Sequence, residues 1–114
     1  METPQKIAVI GGGSWATAIV KILCNNCTEI HWWMRNEESI AHIQQFGHNP
    51  KYLQSVSFDT RKLVLSSDLK STLNAVDWVV IATPAAFLEE AFIGVDESHF
   101  INKIVFSAVK GMIP

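Results

Sequence analysis

Lys6-Ile7-Ala8-Val9-Ile10-Gly11-Gly12-Gly13-Ser14-Trp15-Ala16-Thr17-Ala18 carries the pattern that decides the architecture. Residues 6–10 form a short β-branched run, which reads as a strand buried on both faces of a parallel sheet. Three glycines end it. Trp15, Ala18, Ile19, Ile22 and Leu23 then recur at i, i+3, i+4, i+7 and i+8, which predicts an amphipathic helix with those residues on its buried face. Gly11, Gly13 and Ala16 fit G-x-G-x-x-G/A between a predicted strand and a predicted helix, the context the motif requires. Gly11 permits the tight turn, Gly13 lets a pyrophosphate approach the backbone, and Ala16 is small enough for the helix to pack on the sheet. Free N–H groups at the helix start point at the anion. A glycine-rich βα turn without a ligand has the same letters. Further strand–helix units in the right order favour the dinucleotide reading.

Those units follow along the chain. Residues 30–34 predict a second strand, rich in aromatics. Asn36 is a good N-cap, and Glu37 and Glu38 suit the first turn of a second helix. Ile40, Ile43 and Phe46 give that helix an apolar stripe, and Gly47 suits the position after its end. Residues 48–60 show no period and read as a loop. Residues 63–65 form a short strand, after which Ser66 or Ser67 caps a short helix carrying Leu69 and Leu73. Residues 77–82 are the strongest strand signal. Thr83 and Pro84 then fit N-cap and N1 of a helix over 85–92, and 103–107 is a fifth strand. The alternation predicts a doubly wound, mostly parallel α/β sheet with helices on both faces.

Ligands of such sheets bind outside the carboxyl ends of the strands. The first strand delivers the glycine loop there. The second delivers Arg35, where sites preferring NAD place an Asp or Glu to accept from the ribose 2′-hydroxyl. Arg35 cannot accept, but it can pair with a 2′-phosphate, so NADPH is expected over NADH. Glu37 and Glu38 close by leave NADH open. The fourth strand delivers Thr83-Pro84. The fifth delivers Lys110, placed to meet a phosphate or a substrate oxygen. Trp15, in the first helical turn, is positioned beside the pyrophosphate. Trp32, Trp33 and Trp78 read as core, and His31 as a half-buried structural residue. His42, His48 and His99 have no metal spacing. Cys24 and Cys27 supply only half of a zinc site and sit at a helix end, where the dipole does not favour thiolate; they read as free thiols.

The chain has 114 residues, 48% hydrophobic and 18% charged, with net charge −2. This suits one globular domain over 1–114 and excludes a wholly disordered chain. No basic patch points to nucleic acid. No apolar run reaches the roughly 18–20 residues of a membrane span, and the first residues lack a signal-peptide layout. A cytoplasmic protein is expected. Oligomeric state is not legible.

The residues Gly11 to Ala18, with Trp33-Met34-Arg35, His48-Asn49-Pro50-Lys51-Tyr52-Leu53 and Ala108-Val109-Lys110-Gly111, resemble the N-terminal signature of bacterial-type NAD(P)-dependent glycerol-3-phosphate dehydrogenase. The matches are collinear across essentially the whole chain. The resemblance implies a Rossmann domain in which Ser14, Trp15 and Arg35 contact NADPH. It also implies that Tyr52 lies near the cofactor and that Lys110 touches both cofactor and substrate. The implied reaction interconverts dihydroxyacetone phosphate and sn-glycerol 3-phosphate for phospholipid synthesis. The family's proton-accepting lysine belongs to a second, helical domain, so no catalytic base is expected within 1–114, and the chain reads as an N-terminal piece that is inactive alone. Ala16 stands where the family usually has glycine, and Ala85 replaces a common serine. Other readings are a stand-alone NAD(P)-sensing regulatory module, or the cofactor domain of a β-hydroxyacid or ketopantoate-type reductase. An acidic residue after the second strand would suit the sensing module, and Arg35 speaks against it.

Overall fold

The structure is a computed structural model that describes residues 6–25, 29–50, 57–83, 95, 97–101 and 103–107, with the side chains of Ser14 and Glu97 excepted. Cys27, Tyr52, Pro84, Lys110 and the helix expected over 85–92 lie outside the described residues.

Five strands form one sheet: β1 (Ile7–Ile10), β2 (Ile30–Trp33), β3 (Leu63–Ser66), β4 (Trp78–Ile81) and β5 (Ile104–Ser107). All four neighbouring pairs are parallel, in the order β3-β2-β1-β4-β5. The chain leaves β1 toward one edge and returns to pair β4 on the other side of β1. That reversal opens a crevice outside the carboxyl ends of β1 and β4. Three helices are described: α1 (Ser14–Leu23), α2 (Glu37–Phe46) and α3 (Leu69–Asn74).

Side chains alternate across the sheet, so the central strands feed two cores. Ile7, Val9, Ile30 and Trp32 pack with Ala16 and Val20 of α1 and Ile43 of α2. Ala8, Ile10, Trp33 and Val79 face the other way, onto Leu69 and Leu73 of α3, with Phe100 packed alongside. The expected helices on both faces are present. β1 is buried at every position, as a central parallel strand should be.

Asn36 caps α2 by accepting from the Glu38 and Ser39 amides, and Gly47 ends it with φ 78°. Four local expectations are corrected. The buried face of α1 carries Ala16, Val20 and the C-cap Cys24, whereas Trp15 and Ile22 are exposed. The small residues at 16 and 17 let the helix lie close to β1, which turns the indole outward. Phe46 is exposed, because α2 buries Ser39 and Ile43 instead. The cap of α3 is Asp68, which accepts from the Ser71 amide; Ser66 accepts from the Asp68 amide one turn earlier. His31 is buried more deeply than expected and bonds Glu29 at 2.6 Å. That contact holds the Glu29 carboxyl below the usual carboxylate range.

Candidate functional site

The loop between β1 and α1 sits at the crevice, and its three glycines meet different surroundings. Gly11 has φ +140°, a value that L side chains rarely adopt, and a Cβ on it would lie 3.0 Å from the Ala82 carbonyl oxygen. A Cβ on Gly12 would lie 3.0 Å from Met34 Cβ, just past the end of β2. Among the described residues beyond its chain neighbours, a Cβ on Gly13 would meet nothing within 4 Å. Gly11 and Gly12 therefore let the chain fold back on itself, and Gly13 faces open space.

The carbonyl side of this loop is fastened into the protein. The Gly11 carbonyl accepts from Trp32 Nε1 at 2.6 Å. The Gly12 carbonyl accepts from Asn49 Nδ2 at 3.2 Å. The Gly13 carbonyl accepts from the Thr17 amide at 3.0 Å and the Thr17 hydroxyl at 2.7 Å. Across the crevice, the Thr83 hydroxyl donates to the Ile10 carbonyl at 3.0 Å, beside the Ala82 amide at 2.9 Å. Thr83 is thus at the crevice as expected, and its hydroxyl proton is used to hold β4 to β1.

The first amides of any helix lack intrahelical acceptors and carry partial positive charge. α2 and α3 meet that demand with the side chains of Asn36 and Asp68. The N-cap of α1 is Gly13, with no side-chain cap and no acidic residue in the first turn. An anion would complete this end, and the open face of Gly13 gives it room to approach. Among the described side chains no carboxylate competes at this end and none obstructs it, so the loop fits the pyrophosphate of a dinucleotide.

Arg35 is exposed past the end of β2, the strand beside β1, with Met34 buried before it and Asn36 capping α2 after it. Glu37, one of the two acids that leave NADH open, accepts from Ser67 at 2.9 Å; Glu38 is exposed in the first turn of α2. Trp15 is 45% exposed in the first turn of α1. Gly11, Gly13, Arg35 and Thr83 therefore all lie at the carboxyl ends of adjacent strands, and Ser14 and Trp15 start the helix there. Gly12, Thr17, Trp32 and Asn49 were not singled out as parts of this site. For Trp32 a signal existed, since a buried indole N–H needs an acceptor. Asn49 lies in a segment without periodicity and gave none from pattern alone.

Among the described residues no three His, Cys, Asp or Glu side chains gather as metal ligands, and no helix is long and apolar enough to cross a membrane.

Residues 6–114 match the family model described as NAD-dependent glycerol-3-phosphate dehydrogenase N-terminus. The glycerol-3-phosphate dehydrogenase [NAD(P)+] of Ectopseudomonas mendocina is 33% identical over 112 residues, covering 98% of this chain and 32% of that protein. The enzyme of the same name from Staphylococcus carnosus is 29% identical over 108 residues, covering 95% and 32%. Among solved structures, the Plasmodium falciparum glycerol-3-phosphate dehydrogenase superposes with TM-score 0.80 at 29% identity, over 92% of this chain and 32% of that one. The Coxiella burnetii enzyme gives 0.73 at 25% identity, over 90% and 31%. The chain spans about a third of the length of the curated relatives it matches. The glycine loop, the parallel sheet and these matches agree: the chain belongs to the NAD-dependent glycerol-3-phosphate dehydrogenase family, in the part formed by that family's N-terminus.

Proposed function

We propose that the chain is the dinucleotide-binding unit of an oxidoreductase that interconverts dihydroxyacetone phosphate and sn-glycerol 3-phosphate, with NADPH preferred to NADH. The observation that carries the dinucleotide-binding part of this reading is the open face of Gly13 at an uncapped helix start; the reaction follows from the family and the NADPH preference from Arg35. When bound, the nicotinamide supplies or accepts a hydride. The residues of this chain bind and orient it. Gly13 admits the pyrophosphate, and the first-turn amides at Ser14 and Trp15 neutralise part of its charge. Arg35 pairs with the 2′-phosphate, while Glu37 is turned to Ser67. Thr83 borders the crevice from the end of β4, and Pro84 after it is assigned to the cofactor contacts. Tyr52 lies near the cofactor, and Lys110 contacts cofactor and substrate phosphate. The substrate domain and its proton-accepting lysine lie outside 1–114. In the whole protein the reaction supplies glycerol phosphate for phospholipids.

The test is titration of the purified chain with NADPH and NADH, followed by nicotinamide fluorescence. Saturable binding of both, tighter for NADPH, is expected. Absence of binding by either would contradict the reading, and a preference for NADH would contradict the role given to Arg35.

A further inference from the structure

We infer that Asn49 is a positioning residue for dinucleotide binding: it fastens the carbonyl side of the glycine loop and thereby aims the loop's amides at the pyrophosphate. The inference rests on the cofactor reading above. Asn49 is 1% exposed and follows the left-handed Gly47 that ends α2. Its Nδ2 donates to the Gly12 carbonyl at 3.2 Å and to the Thr17 hydroxyl at 3.1 Å. The directions are fixed by chemistry. A carbonyl can only accept, so the amide nitrogen and not the oxygen must face Gly12. The Thr17 hydroxyl has one proton and gives it to the Gly13 carbonyl at 2.7 Å, so it accepts from Asn49. One side-chain amide thus holds one loop carbonyl directly and the next through a hydroxyl.

The consequence runs through the peptide plane. The peptide bonds described are all trans, so each C=O is opposed by the N–H of the following residue. Fastening the Gly12 carbonyl fixes the Gly13 N–H, and fastening the Gly13 carbonyl fixes the Ser14 N–H. Trp32 does the same for the Gly12 N–H by holding the Gly11 carbonyl. Glycines have the most backbone freedom to lose, so a glycine run needs such external ties to present fixed donors. Because Asn49 lies beyond α2, 37 residues from Gly12, it also ties the segment after α2 to the cofactor loop.

The test uses Asn49→Asp and Thr17→Val in the full chain, at a temperature where far-UV circular dichroism shows each variant folded. Asn49→Asp replaces the donor with an acceptor facing the Gly12 carbonyl and should weaken NADPH binding by about tenfold or more. Thr17→Val keeps the side-chain shape but breaks the relay, and should weaken it by roughly threefold to tenfold. Hydrogen exchange without cofactor should quicken at the amides of 12–16 while β1 and β2 stay protected. Exchange that rises evenly across β1, β2 and α1, or affinity unchanged in both variants, would overturn the inference and leave Asn49 an ordinary buried amide. Failure of the wild-type chain to bind NADPH and NADH would instead overturn the cofactor reading, and the exchange pattern in the free chain would still decide whether Asn49 orders the loop.

Discussion

At the scale of single residues, the three glycines divide into two that serve the fold and one that faces open space. Gly12→Val drives a side chain into Met34 Cβ, on the backbone-proximal part of a buried residue, so Met34 cannot simply swing aside. Overpacking of this kind costs about 1–3 kcal/mol, and the urea midpoint should fall accordingly. Arg35→Ala removes a guanidinium from a solvent-exposed position. The expected loss is about 1.5 kcal/mol of NADPH affinity, the low end for a charge-assisted bond. NADH affinity should stay nearly level, and parallel calorimetric titrations check it. The motif spacing made Gly11 and Gly13 legible, because the letters encode a turn and an approach. It was silent on Gly12, whose contact is with a residue of another strand, and on Asn49, whose partners are backbone and hydroxyl atoms far along the chain.

At the scale of elements, α1 shows how an apolar-rich helix misleads a periodicity reading. The set 15, 18, 19, 22, 23 and the set 16, 19, 20, 23, 24 both have helical spacing, and both are largely apolar. Each set holds five apolar residues, but side-chain bulk favours the first, which contains Trp15 and Ile22. Close packing selects the second, because Ala16 and Val20 fit against the central strands where an indole does not. Val20→Ala should therefore lower stability by about 1–3 kcal/mol, whereas Ile22→Ser should stay within about 0.5 kcal/mol of the parent. Thermal and urea unfolding of the two variants side by side measure the difference. The start of α2 was legible in its composition, since Asn followed by two acids meets the needs of a helix start. Asn36→Ala should cost about 1 kcal/mol through loss of the cap.

At the scale of the whole molecule, strands that alternate with helices build one parallel sheet in the order β3-β2-β1-β4-β5, and that alternation is plain in the sequence. The placement of the site follows from it. Reversal of strand order beside β1 puts the glycine loop and Thr83 on either side of one crevice, with Arg35 at the end of the next strand. The same geometry bounds what the chain can do alone. Holding a carbonyl in line with the nicotinamide can supply about 7–11 kcal/mol of barrier reduction, and a placed proton donor roughly 10²–10⁴-fold. Among the described residues the crevice offers glycine amides, a committed threonine hydroxyl and an arginine, none of which is a proton donor matched to an alkoxide. With the proton-accepting lysine proposed to belong to the substrate domain, the chain is expected to bind NADPH and to show negligible oxidation of it at 340 nm with dihydroxyacetone phosphate.

The central claim is that the open face of Gly13 receives the cofactor's pyrophosphate. Gly13→Val tests it most directly, because among the described residues beyond its chain neighbours the new side chain meets no atom within 4 Å of its Cβ, and the backbone there has an ordinary negative φ of −84°. The fold should be unaffected, and only the ligand's space is filled. Calorimetric titration of the parent and of Gly13→Val with NADPH should give saturable binding for the first and none detectable for the second, at matched unfolding midpoints. A folded Gly13→Val chain that binds NADPH as tightly as the parent would contradict the account.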